Sequence, residues 1–471
     1  MNTPLWNSED AATATNGSAE GSWTASGVSI DTRSLDPGDL FIAIKGANFD
    51  GHDFLDAAYA AGATAALVEK GWAVHCRAAT RYHPLLLVGD TMEGLRRLGT
   101  GARTRTSATV IAVTGSVGKT GVKEALAALL SAQGKTGHSS GSFNNHIGVP
   151  LSMARLAPDA RFWVLELGMN HAGEMTDLSR QARPDVAVIN NVEAVHTAHF
   201  DDEKEIAEAK AEIFLGLKAG GTAILNRDNP HFPFLAERAW AAGAGSVICF
   251  GEHEEADFRL REFNMGADGS TVNATYKEHD LAYRLNLAGR HWVQNSLAVL
   301  ATIEAAGADI FAGAAAMEDL SPAPGRGRRH TIDTGGIYFV IIDESYNASP
   351  VSVAASLAVL GTLPGKRRIA VLGDMLELGI ESDSAHRGLV GAIVANGVDQ
   401  VYTAGERMAH LFRALSPEFR GGHFENAEEL AEPLLAALQS GDVVLVKGSA
   451  GSRMGIIVAA LRSYGEKSNA V

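Results

Sequence analysis

Through most of its length the chain alternates two kinds of segment. Short apolar runs rich in β-branched residues are followed by stretches in which apolar residues recur every three or four positions. The runs suit strands buried on both faces, and the periodic stretches suit amphipathic helices. The alternation predicts parallel sheets with crossover helices. In residues 1–90, strands are expected at Val28–Ile30, Leu40–Ile44 and Ala65–Val68, with Leu85–Val88 either the last strand or the bridge onward. Phe54–Ala61 reads as helical, and Ser8 is expected to cap a short first helix. In residues 91–321 the strands fall at Thr109–Val113, Phe162–Leu167, Val186–Ile189 and Thr222–Leu225. Residues 257–287 differ, because apolar and polar positions alternate there around a hairpin signal at Gly266–Gly269. They predict an antiparallel insertion or edge. Ser321–Gly327 is a Pro/Gly linker signal, and beyond it the βα alternation restarts at Tyr338–Ile342, Ile369–Leu372, Val401–Thr403 and Val443–Val446. The expected fold class is α/β in three domains: a small N-terminal α/β unit (1–90), a central parallel-sheet unit (91–321) and a C-terminal Rossmann-like unit (322–471).

The run Thr114-Gly115-Ser116-Val117-Gly118-Lys119-Thr120 lies between the strand at Thr109–Val113 and a helical pattern carrying Val122, Ala125, Leu126, Leu129 and Leu130 on one face. Strand, glycine-rich turn, Lys-Thr and helix form the context of a phosphate-binding loop. Its glycines let backbone N–H groups approach phosphate oxygens, and the helix N-terminus adds partial positive charge. Lys119 would neutralise the β- and γ-phosphates, and Thr120 would hold Mg²⁺. The spacing G-x-x-G-K-T is shorter than the usual form of this motif. ATP binding is the strongest single expectation.

In open parallel sheets ligands bind beyond the carboxyl ends of the strands. Glu166, Asn190, Asn191, Asp343, Asp374 and Lys447 all stand at such ends. Any one of them alone reads equally well as a helix cap, but together with the phosphate loop they mark one site. Glu166 is the candidate Mg²⁺ ligand, since Mg²⁺ takes carboxylate and phosphate oxygens. His196 follows the Asn pair, and His199 lies three residues on. Lys210 shares a helix face with the apolar Ile206, Ile213, Phe214 and Leu217. Two readings are open: a lysine whose stem covers apolar surface, or a partly buried amine of lowered pKa able to take up CO₂ as a carbamate.

Composition changes this picture little. A chain of 471 residues with 46% apolar content suits two or three globular domains, and 51 glycines suit many tight strand-to-helix turns. The net charge of −15 and the absence of long Lys/Arg runs argue against a nucleic-acid partner. Cys76 and Cys249 read as reduced thiols. Met1–Thr24 is polar, and no apolar stretch reaches membrane-spanning length, so a cytoplasmic protein is expected.

These segments together resemble the Mur ligase family, from about Trp6 to Met454. Asp31-Thr-Arg-Ser-Leu, Pro-Gly-Asp-Leu-Phe-Ile-Ala-Ile-Lys-Gly and Asp50-Gly-His-Asp-Phe are similar to its UDP-substrate domain. Thr114–Thr120, Glu166–Asn170 and Asn190–His196 resemble its ATP and metal region. Asn144-Asn145-His146-Ile-Gly-Val-Pro and Gly289–Asn295 also carry the likeness. So do Pro324-Gly-Arg326, Asp343–Pro350, Leu372–Gly379 and Val446–Ser449. The resemblance implies a cytoplasmic, monomeric, ADP-forming ligase of peptidoglycan precursor synthesis. It would add D-alanyl-D-alanine to UDP-N-acetylmuramoyl-tripeptide through an acyl phosphate.

By the same resemblance, Lys119, Lys210 and His196 are catalytic. Gly115, Ser116, Val117, Gly118, Lys119, Thr120, Gly121, Asn295, Arg326 and Asp343 bind nucleotide. Ser34, Lys45, Asp50, Gly51, His52, Asn144 and Asn145 serve the UDP substrate. Thr120, Glu166, His196 and a carbamylated Lys210 serve two Mg²⁺ ions. Three departures stand out: Gly121 where Ser or Thr is common, His146 in place of an acidic residue, and Ala450-Gly451 lengthening the run before Arg453. A sibling ligase using a diamino acid or folate is disfavoured by the Asp31–Arg33 and Asn144–Pro150 runs. An Asp-Asn-Pro-Arg run, expected of the diamino-acid enzyme, is also missing. A P-loop switch protein would need no Lys210 carbamate, and a dead binding protein would need neither Lys119 nor Glu166.

Overall fold

The computed structural model describes residues 4–46, 48–76, 83–194, 200, 202–266 and 269–468. Three main sheets follow one another along the chain. The first has the order Ser18–Glu20, Leu85–Val88, Ala65–Glu69, Asp39–Ile42, Gly27–Ser29, parallel except for its first pair. The second has nine strands, and the third has six. The third runs Arg328–Asp333, Tyr338–Glu344, Asp442–Lys447, Arg367–Gly373, Gln400–Ala404, Arg420–Phe424, parallel except at the Arg328–Asp333 edge.

The nine-stranded sheet positions the site. Thr109–Thr114 is the third strand from the Thr136–His138 edge, paired in parallel with Phe162–Glu166 on one side and Val186–Ile189 on the other. The chain crosses to one side of this strand and then returns to the other. That reversal leaves a crevice beyond the carboxyl end of Thr109–Thr114. Thr222–Asn226 and Ser246–Gly251 extend the parallel part. Phe258–Gly266, Gly269–Tyr276 and His279–Leu285 then form an antiparallel meander, with Gly266 opposite Gly269 at the first turn.

Differences from the sequence reading have local causes. Asn7, not Ser8, caps the first helix, its side chain accepting the Asp10 N–H, so that Ser8 becomes the first helical residue. Strands Thr136–His138, Ser246–Gly251, Arg328–Asp333 and Arg420–Phe424 were not foreseen. Arg328–Asp333 and Arg420–Phe424 are edge strands rich in polar residues or glycine, and their pattern is weak. The Lys210 segment is α-helical over Glu203–Ala211 and tightens to a 3₁₀ turn over Glu212–Gly216.

The N-terminal and central units share one apolar core, which includes Trp6, Leu40, Leu98, Val149 and Leu165. The helix Thr91–Arg105, capped by Asp90, lies in this shared layer. Trp6 is 2% exposed and donates from its indole N–H to the Ala154 carbonyl at 2.9 Å. The Arg105 guanidinium stacks over the Trp6 ring at 3.7 Å and donates to the Leu5 carbonyl. The C-terminal sheet has its own apolar layers on its two faces, one with Leu357, Leu372 and Leu411 and the other with Phe339, Val444 and Ile457. Among the described residues no helix is long and apolar enough to cross a membrane. Trp6→Ala removes packing that ties two units together, at a cost of about 3–5 kcal/mol. Urea denaturation followed by circular dichroism reads that loss; a change below about 1 kcal/mol would mean that Trp6 does not hold the shared core.

Candidate active site

The phosphate loop is held open from one side by asparagines. Asn191 Oδ1 accepts the N–H groups of Ser116 and Val117 at 3.0 and 3.1 Å. Asn190 Nδ2 donates to the Val117 carbonyl at 2.8 Å and to Asn295 Oδ1 at 3.1 Å. Ser116 Oγ donates to the Glu193 carbonyl at 2.8 Å. The glycines are required by this packing. A Cβ on Gly115 would sit 1.8 Å from Asn190 Oδ1, and Gly118 has φ +84° and crowds Asn190 and Asn295. Gly118 precedes the helix Lys119–Ser131. Among the described residues no protein acceptor takes the N–H groups of Gly118, Lys119, Thr120 or Gly121. They form the donor set that an anion at a helix N-terminus needs.

Glu166 lies beside this loop at 1% exposure. Its carboxylate accepts from Thr120 Oγ1 at 2.7 Å and from Asn144 Nδ2 at 2.8 Å. The backbone N–H of Glu166 donates to Ser139 Oγ at 3.0 Å. Asn145 turns the other way and accepts the Ile147 and Gly148 N–H groups, starting the helix Gly148–Ala154.

The cations are more unusual. Lys119 Nζ folds back onto the carbonyls of Gly115 and Ser116 at 2.7 and 3.2 Å. Burial pushes its pKa down, Glu166 opposes that shift, and nearby Arg326 adds to it. Lys210 is 2% exposed, and no hydrogen bond to its Nζ is found among the described residues. Burial drives its pKa well below the usual lysine range, and the neighbouring Lys119 drives it further. Lys119 therefore has the Glu166 carboxylate, Lys210 and Arg326 within electrostatic reach, and its charge beside the helix N-terminus suits an anion.

The other expected residues fall into separate groups. Asp343 accepts from the Gly325 N–H and from Ser345 Oγ, fixing the linker on which Arg326 stands. Arg326 stacks over Tyr346 at 4.1 Å. Lys447 is buried and pairs with Glu344 at 3.3 Å. Asp374 accepts the Met408 N–H within the C-terminal unit. Exposed Arg453 pairs with Glu428 at 2.7 Å. In the N-terminal unit Lys45 bridges Asp50, and Ser34 turns on the Asp31 carbonyl. His52 is buried, with Nδ1 on Asp50 at 2.6 Å and Nε2 accepting the Glu69 N–H, so both ring nitrogens are used inside the domain. Gly51 backs onto Ala43 and Ile44, where a Cβ would come within 2.7 Å. His196 and His199 lie outside the described residues.

Lys123 was missed by sequence reasoning. It is 0% exposed and donates to the carbonyls of Ser139 and Gly141 at 2.8 and 2.9 Å, while pairing with Glu124. It thereby anchors the loop that brings Ser139 and Asn144 to Glu166. The signal was available, since Lys123 shares the face of Leu126 and Leu130, as Lys210 shares an apolar face.

Lys210 carries a stability cost with a definite pH dependence. A lysine of lowered folded-state pKa takes up a proton on unfolding, so its burial destabilises below the ordinary lysine pKa of about 10.4 and costs nothing above it. In CO₂-depleted buffer, Lys210→Met is expected to raise the denaturation midpoint at pH 7, with the gain shrinking as pH rises toward 10. A variant less stable than wild type at pH 7 would contradict this.

Comparisons with known proteins agree with this geometry. The model described as Mur ligase middle domain matches residues 113–303, and that described as Mur ligase, glutamate ligase domain matches 327–450. The model described as Mur ligase family, catalytic domain matches residues 24–91. The UDP-N-acetylmuramoyl-tripeptide--D-alanyl-D-alanine ligase of Escherichia coli (strain K12) is 37% identical over 94% of this chain and 95% of its own length. A crystal structure of MurF from Acinetobacter baumannii superposes with TM-score 0.83 at 28% identity, covering 98% of this chain and all of that one. The MurF ligase of Thermotoga maritima, solved in complex with ADP, gives TM-score 0.77 at 28% identity, covering 94% of this chain and 98% of that one. The chain belongs to the Mur ligase family.

Proposed function

We propose that this chain is an ATP-dependent ligase that adds D-alanyl-D-alanine to UDP-N-acetylmuramoyl-tripeptide in peptidoglycan precursor synthesis. The observation that carries the reading is the cluster of Lys119, Lys210 and Glu166 under a helix N-terminus with free N–H donors. A phosphate chain satisfies those donors and balances the lysines. The full-length similarity to D-alanyl-D-alanine ligases supports the choice of substrates.

In this reading the nucleotide phosphates lie on Gly115–Gly121, with Asn295, Arg326 and Asp343 serving the rest of the nucleotide. The UDP substrate is held by the N-terminal unit through Ser34, Lys45, Asp50, Gly51 and His52, and near the chemistry by Asn144 and Asn145. His52 acts there by holding Asp50, since its own nitrogens are engaged. The substrate carboxylate oxygen attacks the γ-phosphorus, the bond to the β–γ bridging oxygen breaks, and ADP leaves. The amine of D-alanyl-D-alanine attacks the acyl-phosphate carbon and loses a proton, the bond from that carbon to the phosphate oxygen breaks, and inorganic phosphate departs with the oxygen and the electron pair. Lys119 and Arg326 offset charge on the transferring phosphoryl group, and closure around the substrates keeps water from the acyl phosphate.

Mg²⁺ fits the donors present: a buried carboxylate and a hydroxyl already in contact, both oxygen ligands. Among the described residues no group of three or more His, Cys, Asp or Glu could hold a metal alone, so phosphate oxygens and further ligands complete the set. Thr120, Glu166 and His196 would hold two ions, together with Lys210 as its carbamate. When bound, Mg²⁺ supplies positive charge to the phosphate oxygens. Desolvated Lys210 supports the carbamate, because a neutral amine is the form that adds CO₂. An enzyme that spends ATP on a nucleotide-linked substrate works in the cytoplasm, and a single chain carries every residue assigned above, so we propose a monomer.

Phosphate release from Mg-ATP, with each substrate omitted in turn and the product weighed by mass spectrometry, tests the assignment. The expected result is release only when both substrates are present, with a UDP-linked pentapeptide as product. Release without either substrate would overturn it. Lys210→Ala is expected to lose at least about 100-fold in kcat, and a short-chain carboxylate such as acetate is expected to restore part of it.

A further inference from the structure

Gly121 directly follows the Lys-Thr pair, where the family resemblance leads one to expect a hydroxyl-bearing residue. Its backbone is ordinary right-handed helix, so no positive φ demands glycine there. Glycine is also among the poorest helix formers. The reason for it lies across the helix. The indole of Trp292, in the first turn of the helix Arg290–Ala305, rests on Gly121. A Cβ at position 121 would come within 2.7 Å of Trp292 Cη2 and 3.0 Å of Cζ2. Carbon atoms in good contact stand about 3.5–4.0 Å apart, so even alanine would displace the ring.

Partly buried Trp292 also lines a cavity between the central and C-terminal units, with Ala288, Pro322, Arg326, Glu344 and Val359. One side chain thus touches the helix that carries Lys119 and Thr120 and faces the segment that carries Arg326. A ring pushed off residue 121 disturbs the packing that the central and C-terminal units share around this cavity.

We infer that Trp292 is a positioning residue that sets the spacing between the phosphate-loop helix and the Arg326 segment, and that Gly121 is the seat it needs. The inference rests on the ATP-dependent ligase reading. In this chain the Trp292 indole fills the space beside Gly121, where the family resemblance leads one to expect a hydroxyl. Trp292 couples the seating of the C-terminal unit to the phosphate loop by packing.

The test compares wild type, Gly121→Ala, Trp292→Leu and the double variant. ADP affinity is measured by calorimetry, steady-state kinetics with ATP give KM and kcat, and thermal melting reports folding. Gly121→Ala is expected to weaken ADP binding and raise the KM for ATP by about 10-fold or more, because the displaced ring disturbs the nucleotide site. Trp292→Leu is expected to lower kcat several-fold with little change in KM. In the double variant ADP affinity should return to within about 3-fold of wild type while kcat stays low, a non-additive result. A Gly121→Ala enzyme with wild-type KM and kcat and a higher Tm, as alanine in a helix alone would give, overturns the inference. So does an additive double variant. Should Gly121→Ala not fold, Trp292→Leu decides: wild-type kcat overturns the inference, and lowered kcat at unchanged KM supports it. A wild-type protein that binds no ADP would sink the ligase reading itself, whereas wild-type activity with indifferent variants sinks the coupling alone.

Discussion

Two neighbouring buried lysines, one of them facing a carboxylate, constrain everything else around the site. Lys210 is buried without a hydrogen bond from the described residues, and Lys119 lies near enough to push its pKa further down. Glu166 supports the charge on Lys119, while Arg326 and burial oppose it, and Lys119 in turn opposes a charge on Lys210. Desolvated charge of one sign is costly, so such a cluster persists where a ligand or a modification of opposite charge completes it. The donors at the start of Lys119–Ser131 and the Thr120–Glu166 contact fit a phosphate chain with Mg²⁺. A carbamate on Lys210 would turn this desolvated amine into an anion, and we propose that it does.

Holding that cluster in place requires rigid surroundings. The strand reversal beside Thr109–Thr114 brings Glu166 and Asn190 to the two sides of one loop. Asn190, Asn191 and Asn295 tie the loop backbone to a neighbouring strand end and to the helix Arg290–Ala305. Lys123 does the same for the loop bearing Asn144, spending a fully buried cation on two carbonyls. The shared core around Trp6 makes the N-terminal sheet an extension of the central unit, whereas the C-terminal sheet packs on layers of its own. This division suits a C-terminal unit that closes on the other two, with Arg326 on the linker between them.

Much of this was legible in the sequence because burial on both faces leaves long apolar runs. The expected strand Val186–Ile189 matches the observed one at both ends, and Leu85–Val88, open between strand and bridge in the sequence, is a strand. Polar or glycine-rich edge strands such as Arg420–Phe424 have no such run, because one side of an edge faces solvent. The phosphate loop and Glu166 were readable from strand, turn and helix order. Lys123 was readable by the face it shares and was passed over. His52 could not be judged from sequence, since its value depends on Glu69, a partner on another strand. The Trp292–Gly121 contact joins helices far apart in the chain, and only folded coordinates bring them together.

The carbamate on Lys210 is the point on which the charge balance turns. ¹³C NMR of the purified protein equilibrated with ¹³C-bicarbonate and Mg²⁺ tests it directly. The expected result is one carbamate resonance in wild type that is missing from Lys210→Met. A wild-type spectrum without that resonance, under conditions where the enzyme turns over, would contradict it.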